Sequence, residues 1–368
     1  MKMKVSAYSI TRRSFIGRSS LSLALIAAAA LPAMGAWVSP IGKKNKKWIP
    51  TVTGKVASDE LGTTLMHEHI LWFSGPGADD PSYEPVPDDL IPDTIDFALS
   101  LLNDAARVGI DTIVDLTPHR PIDLYEEIAR RTPVNIIVST GFYRRMKIPG
   151  WKADMEDENQ MEALMLKELT EGIEGTKIRA GIIKIAQEGG TLSDWEKKVF
   201  RAAARASKAA RTPIATHTGN AFEQFDFLVK AGANPHKILL SHVDVGRKGI
   251  PGELMTIARE GGYLEVDTFG QEFYTPWNEL VALIRSLCDA GFASKVIIDI
   301  DSNWHWENGK KVFEGAGPPN FDPDAASRTF AYMITDAVPR LLKSGFSMNE
   351  INTFLVDNPR NFFSNSDL

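Results

Sequence analysis

Two histidines stand two positions apart, His67 and His69, in an apolar run over residues 63–70. On a β-strand, side chains two positions apart point to the same side, whereas Glu68 between them would face the other side. Imidazole is a common ligand of zinc and other transition metals. Two imidazoles on one side of a strand therefore predict part of a metal site.

More residues that could bind metal stand at the ends of other apolar runs. His217 and His242 each end one run, Asp301 ends the last with Asp299 two positions before it, and Lys184 lies in an otherwise apolar run. Taken singly, such a histidine is often half-buried and structural, and such an aspartate often caps a helix. Their occurrence at one end of several runs favours a metal site.

Lys184 is unusual in this set, because a protonated lysine would be repelled by metal ions. Burial lowers the pKa of a lysine, so that its neutral amine can react with CO2. The resulting carbamate carries two oxygens and one negative charge, and could bridge two metal ions. A snorkelling or ion-paired lysine, or one that forms a Schiff base, is the alternative, but the accompanying histidines favour the bridge.

The elements that must position these residues alternate between strand and helix patterns. Parallel strands covered by helices are apolar on both faces, and eight runs of this kind are separated mostly by helical stretches. The pattern predicts an α/β fold, a TIM (β/α)8 barrel with the metal site at its C-terminal face, where the loops over 75–92 and 304–323 would also lie. A doubly wound open sheet is the alternative, but no GxGxxG follows the first run. The eight runs cover residues 63–70, 110–117, 134–141, 180–186, 213–218, 238–243, 263–269 and 296–301.

The first 35 residues read as an export signal. They contain five basic residues and no acidic ones, with TRRSFI at 11–16, an apolar run over 21–31 and small residues after it. This order is typical of a signal peptide, and the paired arginines resemble a twin-arginine signal. An uncleaved membrane anchor is the alternative. We therefore expect a signal peptide over 1–35, a barrel domain over 36–368, export by the twin-arginine machinery, and a periplasmic or secreted protein.

Composition narrows the class of protein. Of the 368 residues, 43% are hydrophobic and 24% are charged, which is ordinary for a globular protein. The net charge of −6 and the lack of a basic stripe argue against nucleic acid as a partner. A single cysteine, Cys288, excludes an intramolecular disulfide and a cysteine-rich metal site. A small-molecule substrate is the expected partner, and a homodimer is an open alternative to a monomer.

Together these motifs resemble those of the phosphotriesterase family of the amidohydrolase superfamily. The resemblance covers about residues 50–364, and the last strand departs from the family's Ser-x-Asp by reading DID at 299–301. The matching motifs are GTTLMHEH at 62–69, GIIK at 181–184 with RAAARA at 201–206, and DNPRNF at 357–362.

The resemblance implies a binuclear site with two divalent ions, and the imidazole ligands favour zinc. It implies that His67, His69 and Asp301 hold one ion, that His217 and His242 hold the other, and that Lys184 bridges them as a carbamate. A hydroxide between the ions would attack an ester-type bond, and Asp301 would accept its proton.

Selectivity is expected to depend on the loops. Tyr143 follows the third run, where lactonase-like members have a tyrosine near the metals, so a lactone or carboxylic ester is the favoured substrate and Tyr143 a catalytic candidate. Thr268 stands where related lactonases have an arginine and phosphotriesterases a histidine. Trp304, His305 and Trp306 are expected at the pocket entrance. A phosphotriester hydrolase, a one-metal amidohydrolase such as a deaminase, and an inactive binding or export protein are the alternatives.

Overall fold

The computed structural model describes residues 46–71, 86–217, 219–245, 252–307, 310–313 and 328–364, all within one compact unit, Lys43–Leu368. The predicted signal peptide and most of the predicted loop over 75–92 lie outside these ranges. In the described part of the chain, no helix combines the length and the apolar character that crossing a bilayer requires.

A parallel sheet positions the candidate site. A hairpin of β1 (Trp48–Thr51) and β2 (Gly54–Ala57) precedes it. In the described residues, eight strands then pair in chain order, each parallel to the next, and curl into a nearly closed barrel, as predicted. These strands are β3 (Thr64–Glu68), β4 (Thr112–Asp115), β5 (Asn135–Phe142), β6 (Ile182–Ala186), β7 (Ile214–His217), β8 (Ile238–Leu240), β9 (Tyr263–Val266) and β10 (Val296–Ile298).

Helices follow the strands and cover the sheet. A representative one, the helix after β6, begins at a capping box in which Ser193 and Glu196 each accept a backbone N–H from the other. The helices are α1 (Ile91–Arg107), α2 (Ile122–Arg130), α3 (Gly150–Ala153), α4 (Glu158–Thr170), α5 (Asp194–Ala210), α6 (Ala221–Lys230), α7 (Gly252–Glu260), α8 (Trp277–Asp289), α9 (Val338–Lys343), α10 (Met348–Asn352) and α11 (Asn358–Ser364).

The last loop contains structure that the sequence did not suggest. We predicted a loop over 304–323, but β11 (Trp304–Glu307) and β12 (Lys310–Phe313) form an antiparallel hairpin. Trp304 is only 2% exposed, and its ring packs edge-on against Phe97 of α1, 4.7 Å between ring centroids. Trp306 Nε1 donates to Thr94 of the same helix at 2.9 Å. The prediction that Trp304 lines the pocket entrance is therefore wrong, because its indole is buried against α1. For the half-buried His305 and Trp306 it stays a prediction, although the Trp306 indole also attaches the hairpin to α1.

Alternate residues of the strands face two different apolar layers. One buried residue from each barrel strand belongs to an inner cluster, while its neighbours along the strand pack with the helices in an outer cluster. This is the alternation that a strand buried on both faces must have. The inner residues are Met66, Val114, Ile137, Ile182, Ala215, Leu239, Tyr263 and Ile297.

A β-bulge interrupts the alternation in β3. Thr64 and Leu65 pair regularly with β4, but the register shifts between Leu65 and Glu68. Met66 joins the inner cluster, and the His67 ring bonds residues on the inner face of β9. An extra residue in one strand resets which side the following residues face. Strict alternation therefore fails between Met66 and His67, whereas His67 and His69, two positions apart, both reach Asp301.

Buried carboxylates join the last strand to the first. Asp299 accepts hydrogen bonds from the backbone N–H groups of Met66 and, at 2.7 Å, of His67. Glu68 accepts from the Ser302 N–H at 2.7 Å. Burial raises the pKa of Asp299 to about 7, and burial and Asp299 raise the pKa of Glu68 well above its usual value. Asp299 therefore joins β10 to β3, whereas its spacing of two from Asp301 on a regular strand would predict that both side chains face the metal site.

Candidate metal centre

The functional side chains follow the inner apolar layer along the strands. Lys184 comes two positions after Ile182 on β6, and His217 comes two positions after Ala215 on β7, so each shares the inner face. His242 and Asp301 lie two and three residues beyond the ends of β8 and β10. The C-terminal edge of the barrel thus carries all of the predicted ligands.

Local backbone geometry turns His242 and Asp301 toward this edge. Their φ angles are 56° and 48°, in the left-handed region that costs a non-glycine residue about 1 kcal/mol or more. Neighbouring groups hold both: the His242 N–H donates to Asp267 at 3.0 Å, and Arg328 donates to the Asp301 carbonyl at 3.3 Å. Such strain typically accompanies functional positions.

Three possible ligand atoms, from His67, His69 and Asp301, lie close together. Asp301 Oδ1 lies 3.1 Å from His69 Nε2 and 3.8 Å from His67 Nε2. A ligand atom from each of these residues lies within 4.8 Å of the others. Two imidazoles and a carboxylate at these separations fit a divalent metal ion.

His217 and His242 form a second pair. His217 Nδ1 and His242 Nε2 face each other at 2.8 Å, and the rings are nearly perpendicular. Without metal, a proton between these nitrogens makes the contact a hydrogen bond; with metal, both lone pairs can bind the ion. The pair therefore fits a second metal position.

Acceptors behind three of the rings fix their orientation. His67 Nδ1 lies 2.9 Å from Glu265 and 3.1 Å from Asp267, and His242 Nδ1 lies 2.9 Å from Asp267. His69 Nδ1 contacts the Thr117 hydroxyl at 2.7 Å. A proton on each Nδ1 leaves Nε2 as the lone-pair donor, which is how proteins commonly support metal-binding histidines.

Asp267 also belongs to a second possible cluster with His67 and His242. Its oxygens contact the Nδ1 atoms of both rings, whereas His67 faces Asp301 and His242 faces His217 through Nε2. We therefore interpret Asp267 as an orienting acceptor for two ligands rather than as a ligand.

Lys184 is completely buried among these groups. Its Nζ lies 3.0 Å from His67 Nε2 and donates to the Thr216 carbonyl at 3.1 Å. Burial lowers the pKa of Lys184 to about 8, although Glu265, Asp301 and Asp267 act in the opposite direction. The lowered pKa favours the neutral amine, which is the form that reacts with CO2.

The charge states of the remaining groups also suit metal binding. Burial lowers the pKa of His67 to about 3 and lowers the pKa values of His217 and His242, so these rings are neutral at pH 7. Burial alone would raise the pKa of Asp301, but His67, His69 and His242 hold it well below its usual value. Neutral imidazoles and an ionised carboxylate are the protonation states that ligands need.

The two loop candidates differ in their relation to the centre. The Tyr143 ring stands edge-on to the His217 ring, 5.1 Å between centroids. Thr268 is buried, and its hydroxyl donates to Asp244. Tyr143 thus lies beside the second metal position, whereas Thr268 is used to hold a neighbouring loop.

Sequence reasoning missed three residues at the centre. Glu265 and Asp267 alternate with apolar residues after Tyr263, which is a signal for inward-facing carboxylates that could have been used. Arg144 follows Tyr143, and its Nη2 lies 2.6 Å from His217 Nε2. No pattern in the sequence distinguishes Arg144 from the neighbouring Arg145.

A parallel α/β barrel that gathers histidines, an aspartate and a buried lysine at its C-terminal edge is typical of metal-dependent hydrolases. The comparisons agree with this class. The chain belongs to the phosphotriesterase family, whose sequence model matches residues 47–363, and it is a hydrolase of that family.

Individual relatives match over most of their length. A phosphotriesterase homology protein of Mycobacterium tuberculosis is 28% identical over 326 residues, covering 85% of this chain and 96% of the relative. An aryldialkylphosphatase of Saccharolobus solfataricus is 28% identical, covering 84% and 97%. The structure of a mutant organophosphorus hydrolase from Deinococcus radiodurans superposes with a TM-score of 0.73 at 29% identity, covering 86% and 97%.

Proposed function

We propose that this protein is a binuclear metal-dependent hydrolase that cleaves an ester-type bond. The observation that carries the proposal is the convergence of four imidazole nitrogens, the Asp301 carboxylate and the Lys184 amine at one edge of the barrel. His67, His69 and Asp301 would hold one ion and His217 and His242 the other. The imidazole-rich ligand set favours zinc.

Lys184 would complete the site as a carbamate. The unmodified amine carries no negative charge that could balance two dications, whereas a carbamate adds one negative charge and two oxygens. The lowered pKa of Lys184 and its distance of 3.0 Å from His67 Nε2 support this role.

Bound divalent ions would supply a hydroxide nucleophile at neutral pH and would polarise the substrate oxygen. The chain's own residues supply the remaining steps. Asp301 is ionised and partly exposed, so it can accept a proton from the nucleophile and pass it outward. Tyr143 lies where its hydroxyl could orient the nucleophile or the substrate, and we propose it as the second catalytic residue.

A lactone or a carboxylic ester is the proposed substrate. An alkoxide leaving group benefits from a nearby proton donor, and Tyr143 beside His217 could provide one. A phosphotriester is the second candidate, and the names of the aryldialkylphosphatase and organophosphorus hydrolase relatives support it. Both reactions need a hydroxide and a polarised oxygen.

We also propose that the protein is exported by the twin-arginine machinery to the periplasm or beyond, with residues 1–35 as its signal peptide. The TRRSFI motif and the apolar run after it support this address. The folded form would then bind its ions before export. A homodimer stays a prediction from the sequence.

Metal content and a substrate panel test the proposed function. The purified mature protein should contain two divalent ions per chain, and a chelator should abolish hydrolysis. The panel should contain aliphatic lactones, simple carboxylic esters and an aryl dialkyl phosphate. One ion per chain would favour a one-metal amidohydrolase, and hydrolysis that survives complete metal removal would contradict the proposal.

A further inference from the structure

Arg144 reaches the candidate metal centre from the loop after β5. Its Nη2 lies 2.6 Å from His217 Nε2, and its guanidinium carbon lies 5.8 Å from the centre of the Tyr143 ring. The side chain is half-buried, and its Nε is buried without a hydrogen-bond partner. The guanidinium therefore lies beside the second metal position.

No acidic group in the described ranges forms an ion pair with the positive charge of Arg144. Arginine stays protonated in proteins, and a desolvated charge is costly unless it is paired. Within the described ranges, Arg144 forms no ion pair. Its neighbour Arg145 differs, because it pairs with Glu156 at 2.7 Å on the surface. Arg144 thus places, next to the second metal position, a cation that can accept an anionic partner.

The contact with His217 is incompatible with a metal ion on Nδ1 of the same ring. His217 Nδ1 faces His242 Nε2, the direction of the second metal position. A neutral imidazole that binds metal through Nδ1 carries its proton on Nε2. Nε2 would then be a donor facing the donor Nη2 of Arg144, so the guanidinium must leave this nitrogen when metal binds.

We propose that Arg144 binds an anionic substituent of the substrate, a carboxylate, sulfonate or phosphate next to the bond that is cleaved. The planar guanidinium can donate two parallel hydrogen bonds to such a group. This inference rests on the proposed hydrolase function and narrows it: the natural substrate is an anionic ester or lactone rather than a neutral one. Arg144 is then a specificity-determining residue beside the second metal position.

A matched series of esters tests the proposal. Methyl butanoate is the neutral reference, and monomethyl succinate, methyl 3-sulfopropanoate and methyl 3-phosphonopropanoate present three anions at similar reach. The zinc-loaded protein should prefer at least one anionic ester, which identifies the anion. Arg144→Met should lower the ratio of kcat/KM for that ester over methyl butanoate about tenfold to a hundredfold, and Arg144→Lys should retain part of it.

Arg145→Met is the control, and it should leave the ratio unchanged. An equal ratio in the native protein and Arg144→Met, or an equal loss in Arg145→Met, would overturn the proposal. A calorimetric titration of the zinc-loaded protein with succinate gives a readout that needs no turnover, and the Kd should rise about tenfold in Arg144→Met. Retained succinate binding by Arg144 without any hydrolysis would refute the proposed function but not the anion site.

Zinc titration of the metal-free protein tests the displacement of Arg144. Removal of a cation that must leave His217 should strengthen zinc binding, so Arg144→Met should have a lower Kd for zinc than the native protein, with Arg145→Met equal to native. Equal or weaker zinc binding in Arg144→Met would contradict the displacement.

Discussion

Glu68 and Asp299 form a buried pair of carboxyl groups between the first and last strands of the barrel. Both side chains are fully buried, and the pKa of each is raised, chiefly by burial. Because two adjacent buried carboxylates would repel each other, the pair retains a proton near neutral pH. The proton-sharing pair lies directly behind His67, whose N–H donates to Asp299.

This pair should make stability depend on pH. When a carboxyl group has a higher pKa in the folded than in the unfolded chain, the folded protein loses stability as the pH rises. The loss occurs between the pKa of the unfolded chain and that of the folded chain. For Asp299 that window runs from its model value of 3.8 to about 7. Each pKa unit corresponds to about 1.4 kcal/mol. Asp299→Asn should therefore reduce the loss of unfolding free energy across this window by at least about 1 kcal/mol.

Urea unfolding of the metal-free protein at several pH values measures the effect. Asp96→Asn, an exposed carboxylate that pairs with Arg131, is the control and should leave the pH dependence as it is. Parallel curves for the native protein and Asp299→Asn would show that the pair carries no extra proton.

Asp267 should matter for metal affinity although it is not a proposed ligand. It accepts from the Nδ1 atoms of both His67 and His242. Loss of such a supporting acceptor typically weakens metal binding 10- to 100-fold. Asp267→Asn should therefore raise the Kd for zinc by about that factor in a competition titration, and exposed Glu253→Gln should not. An unchanged Kd for Asp267→Asn would assign the orientation of the rings to other contacts.

Lys184→Ala should lose both bound metal and activity, because the proposed bridging anion between the two ligand sets is the carbamate on Lys184. A short carboxylic acid such as propionate can occupy the vacated space and should restore part of both. Lys295→Ala, at the opposite end of the barrel, should keep both ions. Full metal content with a normal rate in Lys184→Ala would refute the carbamate bridge.

Tyr143→Phe should reduce lactone hydrolysis by about tenfold, the effect of one hydrogen bond to a charged or developing-charge group. Hydrolysis of an aryl dialkyl phosphate should change less, because an aryloxide needs no donor. Exposed Tyr274→Phe is the control. Unchanged lactone turnover, or a clear preference of the native protein for the phosphate, would reverse the proposed order of substrates.

The export proposal depends on the two arginines at 12 and 13. Replacement of both, Arg12→Lys with Arg13→Lys, keeps the charge and removes the twin-arginine address. Cell fractionation should then recover the protein from the cytoplasm, whereas Arg18→Lys should be exported as before. Normal export of the double variant would show that another route is used.

The sequence predicted the barrel because its strands are buried on both faces and leave eight separate apolar runs. It also indicated the ligand set, because residues at the carboxyl ends of parallel strands meet at one edge. Parity placed His67 and His69 together, but it failed between Met66 and His67, where the backbone departs from a regular strand. The bulge before Glu68 and the left-handed φ of Asp301 change where side chains point, and neither leaves a pattern in residue type.

Contacts between distant segments also could not be predicted from the sequence. The burial of Trp304 depends on a hairpin that packs on α1, and the position of Arg144 depends on where β7 places His217. Both follow from tertiary packing between distant segments, which leaves no periodic pattern of residue types in the sequence. Glu265 and Asp267 are the exception, since their alternation with apolar residues was visible.

The inner apolar cluster joins the two ends of the described chain. Ile49 and Val56 of the β1–β2 hairpin share this cluster with Phe362 and Phe363 of α11. Asn358 donates to the carbonyls of Ala293, before β10, and of Val296, its first residue. A chain that is still being synthesised therefore cannot complete the floor of its barrel until its last helix has emerged from the ribosome. Nascent chains stopped before α11 would therefore leave apolar surface of the inner cluster exposed.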